Sequence, residues 1–234
     1  MRKIVFFIFS VSQFMTSVAF CQLSGAGEPF LESYRAELPY FQELITGGQF
    51  SEPSRLIQGD PYRFSRQFES GQLRINGISY PDVPLLYDIY RDQVVTFHPI
   101  FNQKILIKPD KIESFALANG EQFRYISGNE SYIHHGNGIY KVVHEGPVLA
   151  LAKTYKTTKE IRDLSQFDAL YVEKADYFLL KEGIFHSISR PRDAFLTLGV
   201  QPKEIKKKLK GEKLNFRQQP ERYLKRFLEL HSDF

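Results

Sequence analysis

Residues 71–90 read GQLRINGISYPDVPLLYDIY, and this stretch decides the fold. Leu73 and Ile75 alternate with polar neighbours, and Asn76-Gly77 supplies a turn signal directly after them. In the second half every other residue is apolar: Val83, Leu85, Tyr87 and Ile89. Because side chains alternate between the two faces of a strand, this period of two predicts two half-buried strands joined by a tight turn.

The same period continues to about Ile188, interrupted at short intervals by glycine turns. Asn119-Gly120 is the strongest hairpin signal, and Glu145-Gly146-Pro147 and Lys181-Glu182-Gly183 mark two further hairpins. Strands joined by such short turns pair antiparallel with their neighbours. We therefore expect an antiparallel β-meander, folded as a curled sheet, a sandwich or a partial barrel.

After Ile188 the period changes to that of helices. Pro191, Pro202 and Pro220 each stand where a first helical turn accepts proline, and Gly199 and Gly211 end the first two helices. We predict one α+β domain over residues 22–234, with a lead-in (22–70), the meander (71–188) and a tail of short helices (189–234).

The lead-in is irregular and rich in glycine and proline. A short helix is expected within Glu28–Leu44, followed by a loop held on the core by three aromatic side chains: Tyr62, Phe64 and Phe68.

The chain begins with a pattern typical of an export signal. Arg2 and Lys3 precede an apolar stretch that runs to Phe20, and Ala19 and Cys21 are small residues at the −3 and −1 positions. The stretch carries too many polar residues for a membrane anchor. The sequence therefore predicts a signal peptide over residues 1–21, cleavage near Cys21-Gln22, and a mature protein in the periplasm or at the outer membrane.

Cys21 leaves one alternative open, since a cysteine at this place can carry the lipid of a lipoprotein. The bulky Phe20 before it disfavours that processing. If cleavage follows Cys21, the mature chain has no cysteine, because Cys21 is the only one. Neither a disulfide nor a thiol nucleophile is then expected. The formal net charge of +4 is too small to suggest nucleic-acid binding.

The candidate catalytic residues do not form a recognisable set. His134 and His135 are adjacent, and His144 lies across the next predicted turn, but a zinc site needs at least a third ligand at a suitable spacing. Asp82, Asp88 and Asp92 are expected to act in turns or on a solvent-facing side of the sheet. The sequence therefore nominates no catalytic residue, no metal ligand, no cofactor-binding residue and no cofactor.

A basic run extends from Lys203 to Lys213 and contains two apolar residues, Ile205 and Leu209, around which a helix would present its lysines. We expect a solvated helix face here. The alternative is a peripheral membrane contact with anionic lipid headgroups, or a contact with a surface polysaccharide. The lysines of that contact are Lys203, Lys206, Lys207, Lys208 and Lys210.

Three segments together carry a family likeness: Gly59-Asp60-Pro61-Tyr62, the stretch 71–90, and the hairpin Tyr140–Lys153. With Tyr223 and Phe227 in the last helix, they resemble a family of exported, β-rich proteins of Gram-negative bacteria that has no established activity. The resemblance covers most of the mature chain and implies a location in the cell envelope. It supplies no catalytic residues.

Three functions remain open from the sequence. The first is a non-enzymatic envelope protein that binds another envelope macromolecule. The second is a carrier of a lipid or other apolar ligand, in a half-barrel lined by residues such as Leu85, Tyr87 and Ile89. The third is a hydrolase acting on envelope polysaccharide or peptide through Asp88 or the histidines.

Overall fold

A large, mostly antiparallel sheet followed by three helices makes up the computed structural model of the protein. The structure describes residue 44 and residues 47–232, apart from 99–100, 102, 163–165 and 201. The predicted signal peptide, and all but the last residue of the helix predicted within 28–44, lie outside these residues. The α+β class, with an antiparallel sheet and C-terminal helices, is confirmed.

Eleven strands are found among the described residues, all in one sheet. Their bounds are β1 Ile57–Gln58, β2 Glu69–Ile75, β3 Ile78–Asp88, β4 Gln93–His98, β5 Gln103–Ile107, β6 Ile112–Ala116, β7 Gln122–Ile126, β8 Gly138–His144, β9 Val148–Glu160, β10 Ala169–Lys181 and β11 Ile184–Ser187. The strands form one sheet that is neither closed nor strongly curled, so the expected strong curling into a barrel-like form is not present.

The strand order is β1-β10-β9-β8-β7-β6-β2-β3-β4-β5, with β11 also on β10. Two features depart from a simple meander. After β5 the chain passes through a short 3-10 turn at Pro109–Lys111, and β6 pairs with β2 instead of β5. In addition, β1 pairs parallel to the start of β10. Both pairings join segments that are distant in the sequence, which the pattern of local turns does not encode.

The tight turns lie where the sequence places them. Asn76 and Gly77 both have positive φ angles, 50° and 75°, between the paired strands β2 and β3. Two consecutive residues in the left-handed region are what a two-residue hairpin of the type I′ class requires, and asparagine and glycine adopt that region most readily.

One row of paired residues marks a face of the sheet that holds a large buried cluster. It runs across six strands through Leu73, Phe115, Phe123, Lys141, Ala152 and Tyr177. Tyr87 packs edge-on against both Phe115 and Phe123, at ring-centroid distances of 5.4 and 5.2 Å. Leu85, Tyr87 and Ile89 are at most 3% exposed in this cluster. They are therefore packed core residues.

Three amphipathic helices close the chain: α1 Pro191–Leu198, α2 Pro202–Gly211 and α3 Pro220–Ser232. Gly199 ends α1 in the left-handed conformation, as predicted. The apolar stripe of α3 is buried, with Leu224 and Phe227 both 0% exposed. This stripe packs against β8 and β9 and against α2, which provides the burial that such short helices need.

The lead-in is fixed to the sheet by polar contacts as well as by rings. The Lys156 ammonium donates to the backbone carbonyls of Asp60 and Tyr62, at 2.9 and 2.6 Å. Tyr62 is 4% exposed, and Phe68 packs partly buried near it, as predicted. The prediction for Phe64 was wrong: it is 50% exposed and lies under the Arg63 guanidinium.

Candidate functional site

A buried ion pair lies at the centre of the molecule. Asp92 belongs to the turn between β3 and β4, and Lys153 to β9; their side chains are 6% and 0% exposed. The ammonium nitrogen of Lys153 is 2.7 Å from Asp92 Oδ2 and donates a second hydrogen bond to the Ile139 carbonyl, at 2.8 Å. Burial lowers the pKa of Lys153, and the Asp92 carboxylate opposes that shift.

The remaining groups around this pair complete its hydrogen bonding. Asp92 Oδ1 accepts from the Tyr87 hydroxyl at 2.6 Å, and Oδ2 accepts from the Ile139 amide at 3.0 Å. The Tyr140 ring lies 4.9 Å from the Lys153 ammonium. A Cβ at Gly138 would come within 2.1 Å of Asp92 Oδ2, so only glycine permits this approach. The cluster is fully satisfied and closed to solvent, which fits a structural role.

Residues 127–137 lie over this cluster. Asn129 and the Gly136 carbonyl both bond to the Tyr140 hydroxyl, at 3.0 and 2.8 Å. Tyr132 donates to Asp176 Oδ2 at 2.7 Å, and burial with this hydrogen bond raises the pKa of Tyr132. Asn129 is 4% exposed, so the glycosylation spacing at Asn129-Glu130-Ser131 falls on a buried asparagine.

The histidines occupy separate surroundings. His134 stacks on the Tyr155 ring at 4.1 Å, whereas His135 Nε2 is 3.2 Å from the Tyr90 carbonyl. His144 lies near the end of β8, beside Gly146. Within the described part of the chain, no group of three or more histidine, cysteine, aspartate or glutamate side chains is placed to hold a metal ion.

The aspartates Asp82, Asp88 and Asp92 also have separate roles. Asp82 has a φ of 56° and accepts from the Ser70 hydroxyl at 3.1 Å. Asp88 Oδ1 accepts from the amides of Tyr90 and Arg91, each at 2.9 Å, which is the turn role expected of it. The expected solvent exposure of Asp88 was wrong: it is 0% exposed, because the lead-in pairs with it at Tyr62. Its burial raises its pKa.

A second ionic cluster joins the sheet to the tail. The Lys141 ammonium lies between two carboxylates, 2.5 Å from Glu121 and 2.6 Å from Glu221. Arg63 reaches Glu121 at 3.3 Å and Glu173 at 2.5 Å. Each charge has an opposite partner, so this cluster ties the lead-in, the turn between β6 and β7, the strands β8 and β10, and α3 together. It offers no free charge for a ligand.

Two open grooves run along the surface. The first, of about 470 Å³, lies on the sheet face opposite the core row and is lined by side chains such as Gln72, Arg74 and Arg124. Both arginines are already paired, Arg74 with Glu113 and Arg124 with Glu145. The second groove, of about 540 Å³, lies between β10, β11 and the helical tail.

The helical tail carries the chain's excess of positive charge. Residues 189–234 hold twelve lysines and arginines against six carboxylates, a surplus of six. The whole chain has a surplus of only four, so residues 1–188 carry two more acidic than basic side chains. Sequence reasoning found the lysine run but missed this separation of charge, which the composition of the two segments already contains.

The lysines of α2 do not all share one side of the helix. At about 100° per residue, Lys203, Lys206, Lys207 and Lys210 fall within an arc of about 100°, away from the buried Ile205 and Leu209. Lys208 lies on the other flank, where its charge acts on Glu212.

The neighbouring helix α1 extends this surface. Arg192 and Leu196 are both exposed, Leu196 by 67%, and stand one turn apart on the side of α1 away from its buried residues. Lys206 connects the two helices, since its ammonium lies 5.4 Å from the Phe195 ring. We call this surface the basic face; it consists of Arg192, Leu196, Lys203, Lys206, Lys207 and Lys210.

No helix in the described ranges is both long and apolar enough to cross a bilayer. The chain matches no family model, no curated protein and no solved structure.

Proposed function

We propose that this chain is an exported, non-enzymatic protein of the cell envelope that docks on an anionic membrane surface through the basic face. The observation that carries the proposal is the arc of four lysines on α2, exposed beside Arg192 and Leu196 of α1. The predicted export signal and the resemblance to envelope proteins support the location.

The basic face combines positive charge with an exposed apolar side chain, Leu196, and this combination suits the surface of a bilayer better than a purely polar partner. Lysine side chains near an anionic bilayer contribute about 1 kcal/mol each, so the four lysines supply about 4 kcal/mol. Inserting the exposed Leu196 adds about 1.5–3 kcal/mol. These sums correspond to reversible, peripheral attachment rather than permanent anchoring.

The charge separation also favours one orientation. With the surplus positive charge confined to residues 189–234, an anionic surface attracts the tail and weakly repels the rest of the chain. The sheet, with its open groove around Gln72 and Arg124, is then directed away from the basic face and remains available to another envelope macromolecule.

Vesicle co-sedimentation tests the proposal. The protein should bind vesicles of phosphatidylglycerol and phosphatidylcholine but not vesicles of phosphatidylcholine alone, and added salt should release it, since the Debye length shortens. The variant Lys203→Gln, Lys207→Gln, Lys210→Gln removes three charges from the basic face and retains the Lys206 contact with Phe195. It should weaken binding about a hundredfold.

A matched control removes the same charge elsewhere. Lys108, Lys159 and Lys174 are exposed on the sheet, and their triple change to glutamine should leave vesicle binding within about twofold of the unaltered protein. Equal losses in both triple variants would show attraction by net charge alone and would refute a docking face. Binding to an anionic polysaccharide without binding to vesicles would also refute it.

A further inference from the structure

The groove of about 540 Å³ beside the tail has a composition that the basic face does not explain. One wall is formed where β11 leads into α1, at Ser187, Ser189 and Arg190, and the other by the loop before α3, at Asn215 and Arg217. Tyr177 and Phe216 meet edge to face at its base, with ring centroids 6.0 Å apart. The lining of the groove therefore combines two cationic side chains with two aromatic rings.

The positive charge of this groove is only partly neutralised. The Arg190 guanidinium is 3.9 Å from Asp193, a distance too long for a hydrogen bond, and its side chain is 78% exposed. In the part of the chain that the structure describes, no carboxylate lies within ion-pair distance of the Arg217 guanidinium. Only its backbone amide is engaged, by Asn215 Oδ1 at 2.9 Å.

One acidic residue, Asp176, is among the residues that line the groove. It lies between Ala175 and Tyr177 on β10, so its side chain points to the opposite face of the sheet, where its carboxylate accepts from the Tyr132 hydroxyl. Asp193 is occupied in part by the amides of Ser189 and Arg190, which it caps. An anion that enters the groove therefore meets guanidinium groups and hydroxyls.

We propose that this groove binds a phosphate ester, with the phosphate held by Arg217 and Arg190 and the organic part against Phe216 and Tyr177. Arginine suits this role because its planar guanidinium donates paired hydrogen bonds to phosphate oxygens. The volume is sufficient for a small ester. A phospholipid headgroup and a soluble sugar or glycerol phosphate share this chemistry. The site is separate from the basic face and does not depend on membrane docking.

Calorimetric titration of the purified protein tests the site, with glycerol 3-phosphate, inorganic phosphate and a short-chain phosphatidylglycerol below its micelle concentration as probes. Glycerol 3-phosphate or the short-chain lipid should bind more tightly than inorganic phosphate, because only they contact the two aromatic rings. Arg217→Gln should weaken that binding about tenfold or more, since charged hydrogen bonds are lost. Arg222→Gln, an exposed change on α3 outside the groove, is the matched control and should have no effect.

The arms of the experiment separate the possible sources. Tighter binding of the short-chain lipid identifies a headgroup site, and tighter binding of glycerol 3-phosphate identifies a soluble ester; both support the groove. No binding, equal affinity for inorganic phosphate, or binding unchanged in Arg217→Gln overturns the proposal. The basic-face triple variant should retain phosphate-ester binding, so the failure of one proposal is distinguishable from the failure of the other.

Discussion

The buried pair Asp92–Lys153 offers the sharpest test of what holds the fold together. Lys153→Met removes the ammonium while keeping a long unbranched side chain, and Asp92→Asn removes the carboxylate charge. Asparagine is also suited to the positive φ of 58° at position 92. Neither change therefore adds backbone strain, and both report on the lost charge.

The expected magnitude follows from the burial of the pair. Removing one partner of a buried ion pair leaves the other charge uncompensated, which costs about 3–5 kcal/mol. In Asp92→Asn the ammonium loses its counter-charge and keeps only uncharged partners, namely the new side-chain amide oxygen, the Ile139 carbonyl and the Tyr140 ring. With both charges removed, no buried charge is left, so the double variant should be no less stable than either single variant. A domain of this kind has about 5–15 kcal/mol of stability in total, so each single change is a large fraction of it.

The free energies of unfolding of these three variants are measured in urea, with far-ultraviolet circular dichroism as the probe. Tyrosine fluorescence serves as the second probe, because the chain has no tryptophan. A coupling energy of about 3 kcal/mol or more between the two sites is the expected result. Single variants that each lose less than about 1 kcal/mol, or losses that simply add in the double variant, would refute the reasoning, since exposed pairs behave in that way.

Three further outcomes are expected. Gly138→Ala should lower the free energy of unfolding in urea by at least about 3 kcal/mol, because the new methyl group would lie 2.1 Å from Asp92 Oδ2. A variant as stable as the unaltered protein would show that the turn can move aside. Phe227 is 0% exposed between the tail and the sheet, so Phe227→Ala should lower the free energy of unfolding by about 3–5 kcal/mol. A smaller loss would mean that α3 contributes little to the core. Burial, with Glu52 and Asp88, raises the pKa of Tyr62 to about 12. The hydroxyl of this tyrosine ionises at lower pH in the unfolded chain, so the free energy of unfolding should fall between pH 10 and about 12. Urea midpoints measured across this range should fall less steeply in Tyr62→Phe.

Much of the fold was predictable because its signals are local. A period of two followed by Asn76-Gly77 specifies a strand, a turn and a returning strand without reference to any distant residue. In the same way, Pro191 and Gly199 bound α1 at the positions that the sequence indicates. Backbone conformation at such places depends on the residue itself and on its immediate neighbours.

The candidate sites were predictable only in part. The lysine run identified the basic residues, but helical geometry was needed to place four lysines together and Lys208 apart. The groove beside the tail joins Arg190 to Arg217 across residues that form two helices, and no spacing in the sequence relates them. The exposure of Phe64 likewise depended on what the lead-in meets on the sheet.

The sequence by itself determined the class of the fold, the short turns that join successive strands, such as Asn76-Gly77, and the prolines at which the three helices begin. Only the tertiary structure decided that β2 lies between β3 and β6, that Asp88 is buried, and that Lys153 meets Asp92 across 61 positions. Alternation, turns and caps are set by steric preferences within a few residues. Long-range pairing is set by which arrangement buries the most apolar surface while giving buried charges such as Lys153 a partner. That balance exists only for the whole folded chain.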